Sequence, residues 1–285
     1  MILLTILIVI ASLQFWGSGG PLQQDHWFRK WHDWLKTYAS EGTPAHLIAT
    51  ALLPGLLIGA VVAIVGGQFW GLGELILGVV VLLYSLGRGD LSAELADYLD
   101  SWNRGDFAGA FVKLSRTSFG LESVETAIEV HRVARNRLYM RGFERLFAVI
   151  FWFLVLGPAG ALVYRLIRLY PSDEEASREL RWRVLQVVDW IPARLVACGF
   201  SVIGDFEGCR KQLTTLVPSV DVPNATLLEQ CGNAALGFET EFSEDEKDDS
   251  ELLLLGRQQL EAVEVLYRRS LVMWTCVLAV FVIVL

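Results

Sequence analysis

Apolar residues are gathered into five long blocks along the chain instead of being spread evenly. The blocks are Ile2–Trp16, Leu47–Val65, Phe69–Leu86, Leu146–Tyr164 and Leu271–Leu285. A helix needs about 20 apolar residues to cross the hydrocarbon core of a bilayer. The blocks approach this length, and no alternating strand pattern interrupts them. We therefore predict an all-α, polytopic integral membrane protein with four to five transmembrane or re-entrant helices and a helical cytoplasmic part.

The blocks and the polar segments between them divide the chain into six predicted regions. They are three N-terminal membrane spans (1–86), a helical cytoplasmic region (87–145), a membrane span or re-entrant hairpin (146–167), a second helical cytoplasmic region (168–238), an acidic linker (239–251) and a C-terminal helix and span (252–285). The first block has no basic leader and no A-x-A cleavage site, so we interpret it as an uncleaved span. The short turn Gly66-Gly67-Gln68 predicts that the second and third blocks are antiparallel neighbours.

An aromatic helix is predicted between the first two blocks. Its aromatic residues recur at helical spacing and are Trp27, Trp31, Trp34 and Tyr38. Charged residues such as Arg29 and Lys30 lie mostly on the other side. This pattern is typical of a helix that lies at the membrane interface. A helix that packs this aromatic face on other helices fits the pattern equally well.

The fourth block carries basic residues at both ends, which is unusual for a spanning helix. Arg141 and Arg145 precede it, and Arg165 and Arg168 close it. Basic residues collect on the cytoplasmic side of a membrane. The central Gly157–Gly160 stretch (GPAG) leaves two arms of about ten residues, each too short to span. The pattern favours a hairpin that enters from the cytoplasm and returns, and a kinked span remains the alternative.

Composition and charge narrow the class of protein. The chain is 53% hydrophobic with a mean hydropathy of +0.43, which is too apolar for an ordinary soluble enzyme. The net charge is −8, but 239–251 alone carries −7, so the rest of the chain is close to neutral and predicts no nucleic-acid surface. The four cysteines and four histidines are scattered without metal-ligand spacing, so we predict no metal site and no cofactor.

The sequence carries no motif that specifies a reaction. Phosphate-binding glycine loops, H-E-x-x-H and G-x-S-x-G are all absent, so we predict no catalytic residues. Charged residues at the ends of apolar segments nevertheless tend to pair or to line a cavity. The candidates are Glu144, Arg145, Arg165, Asp189 and Arg194. We predict that they line a cytoplasmic pocket for an anionic small molecule or protein; structural pairing is the alternative.

Two segments resemble a known family. FERLFAVIFWFLVLGPAGALVYRL (143–166) and VVDWIPARLVACGFSVIGDFEGC (187–209) are similar to the AmpE family of bacterial inner-membrane proteins. The resemblance implies a multi-pass protein of the bacterial inner membrane. It also implies a signalling modulator of β-lactamase induction, acting in the response to antibiotic beside peptidoglycan recycling. It implies no established reaction.

The same segments resemble, more distantly, the CbiB/CobD adenosylcobinamide-phosphate synthases. Phe151-Trp152, Gly157–Ala161 and Trp190–Leu195 match that family's conserved stretches. The main departures are Met140-Arg141 in place of a Glu-Asn pair, Glu144 in place of an aspartate, Val149 in place of a proline, and Arg165–Tyr170 in place of Asn-Thr-Leu-Asp-Ser. The groups lost are those suited to hold Mg²⁺ and phosphate. We therefore interpret the chain as a regulatory protein, with a CbiB/CobD-like synthase or a related membrane transferase or ligase as the alternative.

Overall fold

A computed structural model describes residues 2–16, 25–65, 71–86, 91–115, 126–171, 174–238 and 249–284. Every regular element within these ranges is helical, which confirms the predicted all-α class. The chain forms two compact units. Unit 1 comprises Met1–Arg88, Glu144–Pro192 and Leu278–Leu285, and unit 2 comprises Gly89–Phe143 and Ala193–Val277. The predicted turn at 66–68 and most of the acidic linker lie outside the described residues.

Thirteen α-helices and one π-helical turn make up the described chain. In order they are α1 (Ile2–Trp16), α2 (His26–Leu35), α3 (Pro44–Val65), α4 (Leu72–Ser85), α5 (Leu91–Asn103), α6 (Phe107–Ser115), α7 (Ala127–Gly142), the π turn (Phe143–Phe147), α8 (Ala148–Leu169), α9 (Glu175–Val188), α10 (Trp190–Ile203), α11 (Phe206–Leu216), α12 (Asn224–Ala235) and α13 (Asp249–Val284).

Unit 1 is built around α8, which packs against α3 and α4, while α1 packs against α4. Small residues allow these close contacts because they lack bulk between the backbones. Gly55 of α3 faces Val163 and Ala159, and Gly78 of α4 faces Thr5 and Phe153. A buried apolar core then runs along the second half of α8. Its members are Phe28, Leu47, Ala51, Val81, Leu162, Leu166, Ile167 and Tyr170.

The helix α8 is a helical hairpin, not a straight rod. Its backbone breaks at Gly157, with φ 65° and ψ −156°, immediately before Pro158. Glu144 and Arg168 form an ion pair across it, although 24 residues of straight helix would separate them by about 36 Å. A Cβ added to Gly160 would lie 2.5 Å from the carbonyl oxygen of Trp152, eight residues earlier. The chain therefore doubles back at Gly157, and the outgoing arm (148–156) contacts the return arm (158–169).

Within the described residues, two helical stretches are long and apolar enough to cross a membrane by length and composition alone, namely Pro44–Val65 and Ala127–Leu169. A third candidate arises if α9 and α10, which meet at a 55° bend, are counted as one span. Shorter apolar helices occupy Ile2–Leu13 and Leu72–Ser85. Such helices indicate contact with a lipid bilayer. The full-length candidates number two to three, so the count of four to five stays a prediction.

Unit 2 surrounds Trp102, whose side chain is fully buried. Its indole N–H donates a hydrogen bond to the carbonyl oxygen of Leu253, at 3.1 Å. Gly256 lies against the same indole ring, where a side chain would not fit. Helices α5 and α6 pack on α7, and α12 packs on α7 and α11. The hydrogen-bonded indole fixes the N-terminal part of α13 within this helical unit.

Candidate functional site

The structure divides the five predicted site residues between the two units. Glu144 and Arg145 lie in the π turn that leads into the hairpin, and Arg165 lies on the return arm. Asp189 ends α9, just before α10 begins. Arg194 belongs to unit 2, whereas the other four belong to unit 1.

Three of the charged groups in unit 1 meet where the two arms of the hairpin end. The guanidinium of Arg168 donates to the carboxylate of Glu144. Arg168 also acts electrostatically on Asp189, and the hydroxyl of Tyr164 lies beside the Asp189 carboxyl. We call Glu144, Tyr164, Arg168 and Asp189 the hairpin-base cluster. Arg168 is its centre, and the sequence had not singled it out as a site residue.

Asp189 is the most perturbed carboxyl group of this cluster. Its side chain is only 2% exposed, and its Oδ1 has no hydrogen-bond partner. Burial raises the pKa of Asp189 to about 6, and the positive charge of Arg168 opposes that rise. A carboxyl group with a pKa shifted toward neutrality inside a charged cluster is typical of functional sites, although structural networks produce the same shift.

Arg165 belongs to a second ion pair on the same hairpin. Its Nη2 lies 3.5 Å from Oδ2 of Asp25, which is buried. The hydroxyl of Tyr84 donates to the other carboxylate oxygen of Asp25, at 3.2 Å. Asp25 directly precedes α2, so this pair ties the start of that helix to the return arm. Arg145 is half-buried in the π turn.

Arg194 holds a loop of unit 2 together. Its side chain is 5% exposed. The Nε atom donates to the carbonyl oxygen of Val217 at 2.8 Å, and Nη1 donates to Oδ1 of Asn224 at 3.1 Å. Nη2 donates to the carbonyl oxygen of Ser219. The guanidinium therefore binds the connection between α11 and α12, which the sequence could not show because those acceptors lie 23 to 30 residues away.

The arrangement is one of internal pairing. Arg165 and Arg168 contact carboxylates, and Arg194 contacts carbonyl and amide oxygens. An incoming anion would therefore have to exchange with Asp25 or Glu144. In the part of the chain that the structure describes, no three His, Cys, Asp or Glu side chains are arranged to hold a metal ion.

Two cysteines that are distant in sequence meet in unit 2. The thiol of Cys209 lies 3.5 Å from the carbonyl oxygen of Cys231, and both side chains are buried. Burial raises the pKa of Cys209 to about 11 and that of Cys231 to about 12. Both groups are therefore neutral thiols at physiological pH, and neutral thiols are poor nucleophiles and poor metal ligands.

Comparison with known proteins adds the family to this geometry. The family described as regulatory signalling modulator protein AmpE matches residues 1–222. The cobalamin biosynthesis protein CobD of Stutzerimonas stutzeri is 27% identical over 212 residues, which cover 70% of this chain and 66% of that protein. The CobD of Chromobacterium violaceum is 30% identical over 115 residues, which cover 38% of this chain and 37% of that protein. No solved structure matches.

The lengths of these matches identify the family to which the chain belongs. The chain spans just under two thirds of the length of the first CobD relative and little more than a third of the second. The AmpE match includes the hairpin, the Trp190–Leu195 stretch and all five predicted site residues. The distant relationship to CobD is also confirmed. The chain belongs to the AmpE family.

Proposed function

We propose that the protein is a multi-pass regulator of the bacterial inner membrane, which modulates β-lactamase induction alongside peptidoglycan recycling and catalyses no reaction. Membership of the AmpE family supports the regulatory part. The observation that carries the proposal is the pairing of Arg165 with Asp25 and of Arg168 with Glu144. Both arginines stand in the stretch that is Asn-Thr-Leu-Asp-Ser in the resembling synthases.

These pairs disfavour the chemistry of a synthase at this place. Mg²⁺ and the phosphates that it binds need carboxylate and amide oxygens that are free to coordinate. Here the stretch presents two guanidinium groups, which repel a cation, and Glu144 is already engaged by Arg168. The hairpin of a synthase-like scaffold is therefore retained while its polar groups serve internal contacts.

The membrane topology that we propose has four spans and one re-entrant hairpin. Helices α1, α3, α4 and the C-terminal part of α13 cross the bilayer, and the hairpin enters from the cytoplasm. Its arms of nine and twelve residues would reach about 14 and 18 Å, which is less than the ~30 Å of the hydrocarbon core. Helix α9 carries five charged residues and stays outside, together with the Asp189 turn.

Helix α2 fits an interfacial position in this topology. Its buried residues are Phe28, His32 and Leu35. Trp27 and Trp34 are 41% and 51% exposed, and Arg29 and Lys30 are exposed as well. Exposed indoles next to basic groups are typical of helices that lie among lipid head groups. The short connections from α2 to two apolar helices also keep it near the membrane surface.

The signal that we propose is an anionic cytoplasmic ligand or protein that competes with Glu144 for Arg168. Arg168 is 26% exposed and Glu144 is 14% exposed, so the pair can be reached from one side. Arg145 follows Glu144 in the π turn. Exchange of one anion for another releases the two arms of the hairpin from each other, which gives a local event that a partner can sense.

The proposal is tested by complementation of a gene deletion. We expect deletion to change β-lactamase induction, wild-type protein to restore it, and Glu144→Gln to fail although it is present in the membrane at the normal level. Glu179→Gln is the matched control, because Glu179 forms an exposed ion pair with Arg183 on α9. Unchanged induction after deletion, or full complementation by Glu144→Gln, would overturn the proposal.

The alternative function is a CobD-like synthase, which the 27% identity over 212 residues favours. Ligand binding to the full-length protein in lipid nanodiscs distinguishes this alternative from the regulatory function. Micromolar binding of adenosylcobyric acid or of ATP-Mg²⁺ that is lost in Arg168→Gln would establish a substrate site. We expect neither compound to bind. Labelling of single cysteines tests the topology, and labelling of Thr215→Cys from outside the cell would contradict a re-entrant hairpin.

A further inference from the structure

A second group of buried polar side chains lies in unit 1, apart from the hairpin-base cluster. His32, His46, Tyr170 and Ser177 are each at most 2% exposed. The three rings stand edge to face, with centroids 4.9 Å apart for His32 and His46 and 5.5 and 5.7 Å from each to Tyr170. The side chains come from α2, α3, the end of the return arm and α9. We call this group the histidine cluster.

The Tyr170 hydroxyl connects His46 to the backbone of the loop before α3. The backbone N–H of Gly42 donates to the Tyr170 hydroxyl oxygen at 3.3 Å. The single hydroxyl hydrogen of Tyr170 is then available to Nδ1 of His46, at 2.8 Å. In the tautomer protonated at Nε2, His46 is neutral and accepts this hydrogen. The Ser177 hydroxyl lies beside the Tyr170 hydroxyl and has no hydrogen-bond partner.

The ring of His32 faces carboxylates without bonding to them. Its Nε2 lies 3.6 Å from Oε1 of Glu41, and its Nδ1 lies 3.6 Å from Oδ1 of Asp33. These distances are too long for hydrogen bonds. Glu41 is instead paired with Lys36, whose Nζ lies 2.6 Å from the other carboxylate oxygen. A positive charge on His32 would compete with Lys36 for Glu41.

Charges of both signs face the histidine cluster. Helix α2 and the residue that follows it contribute Asp33 and Lys36, and the next loop contributes Glu41. From the α9 side, Arg181 donates to the Tyr170 carbonyl oxygen at 3.0 Å, and Glu174 acts on Lys36. Arg178 adds a further positive charge beside Arg181. The described donors do not form a metal site.

We propose that the histidine cluster is a proton-operated latch, which holds the α2–α3 segment to the return arm of the hairpin when neutral and releases it when protonated. A proton that binds Nε2 of His32 draws Glu41 away from Lys36. A proton that binds Nδ1 of His46 makes that nitrogen a donor to the Tyr170 oxygen. The Tyr170 hydrogen must then turn to Ser177, whose oxygen is free to accept it.

The direction of the pH effect follows from the burial of His32. Burial first, and then the charge of Lys36, lower the pKa of His32 below its usual value, while Glu41 and Asp33 raise it. Below about pH 6.5 the folded protein therefore binds fewer protons than the unfolded chain. The stabilisation from the neutral latch is complete above that pH, and it is lost as the pH falls through the lowered pKa of His32.

Hydrogen exchange of the full-length protein in nanodiscs tests the latch. We expect protection of the amides in 36–46 and 170–177, after correction for intrinsic rates, to fall between about pH 7.5 and pH 5.5, because the folded protein binds fewer protons than the unfolded chain in this range. His32→Phe keeps the ring contacts but cannot bind a proton at this position, so its protection should fall less with pH than that of the wild type. His26→Gln is the matched control, because His26 is an exposed histidine of the same helix. It should respond like the wild type.

A second measurement uses the wild-type protein, so it tests the latch even if His32→Phe fails to fold. Titration of ¹⁵N-labelled histidines in the wild-type protein should show a pKa of His32 below its ordinary value of about 6.5. An ordinary or raised pKa of His32, or a pH response in His32→Phe as large as that of the wild type, would overturn the latch. Neither readout depends on β-lactamase induction, so the latch and the proposed regulatory function can fail separately.

Discussion

Arg168 of unit 1 and Arg194 of unit 2 are the same residue type near the ends of apolar segments, yet their partners differ in kind. Arg168 is 26% exposed and is bound to the side-chain carboxylate of Glu144. Arg194 is 5% exposed and is bound mainly to backbone carbonyls. A carboxylate on a side chain can rotate away when another anion arrives, whereas a carbonyl in a packed loop cannot. The first site therefore suits a regulated contact, and the second suits a structural one.

The comparison predicts its largest effect at Arg194. Arg194→Gln removes a guanidinium that bonds to Val217, Ser219 and Asn224. Leaving those buried acceptors unsatisfied should cost about 3 kcal/mol of unfolding free energy. Denaturation followed by circular dichroism measures the loss. Arg210→Gln, at an exposed pair with Glu207, should cost less than about 0.5 kcal/mol. Equal losses of unfolding free energy in the two variants would contradict a structural role for Arg194.

The turn of the hairpin is predicted to be the next most sensitive position. Gly157 has φ 65° and ψ −156°, a conformation that is essentially confined to glycine, although an added Cβ would meet no neighbouring atom within 4 Å. Gly157→Ala should therefore cost about 1–3 kcal/mol through backbone strain alone. Gly59→Ala, in a regular part of α3, is the control and should be neutral or stabilising. A neutral Gly157→Ala would mean that the chain does not reverse at this residue.

At the hairpin base, loss of the Glu144–Arg168 pair should have a smaller effect on stability than on signalling. Glu144→Gln should cost about 1 kcal/mol, because both groups are partly exposed and water screens the pair. The exchanged pair Glu144→Arg with Arg168→Glu should recover that stability without restoring β-lactamase induction. Recovery of induction as well would show that the pair alone matters, and that no external anion competes for Arg168.

The hairpin could be predicted from the sequence, but the partners of its charged residues could not. Glycine and proline at 157–158 break any helix, and arginines at both ends require both ends on one side of a membrane, so local rules predict a reversal. The sequence also pointed to Glu144 and Asp189, but not to Arg168 as the residue that joins them. Which carboxylate meets which guanidinium depends on how the two arms of the hairpin pack. The local sequence pattern does not determine that packing.

The histidine cluster could not be predicted from the sequence at all. In the sequence His32 and His46 are scattered histidines, and their spacing predicts no site. Tyr170 and Ser177 carry no motif at all. The four side chains meet only because α3 lies along the return arm and α9 follows it. Equally, the acceptors of Arg194 lie in a loop whose position depends on the packing of α11 and α12. A site whose residues come from several helices can be identified only when the fold is known.

The last prediction concerns Asp189, and the sign of its pH effect opposes that of the latch. The pKa of Asp189 is raised from 3.8 to about 6 by burial. Between these values the folded protein binds more protons than the unfolded chain, so this carboxyl group lowers stability as the pH rises through that window. Asp189→Asn should therefore raise the unfolding free energy at about pH 7.5 by up to about 3 kcal/mol and remove the acid-side gain. Denaturation curves from about pH 4 to pH 7.5 measure both, with His32→Phe as the background to separate the two groups. A lower stability of Asp189→Asn at the higher pH would mean that the ionised carboxylate is held by Arg168, and that the hairpin base binds its charges more tightly than Arg194 binds its loop.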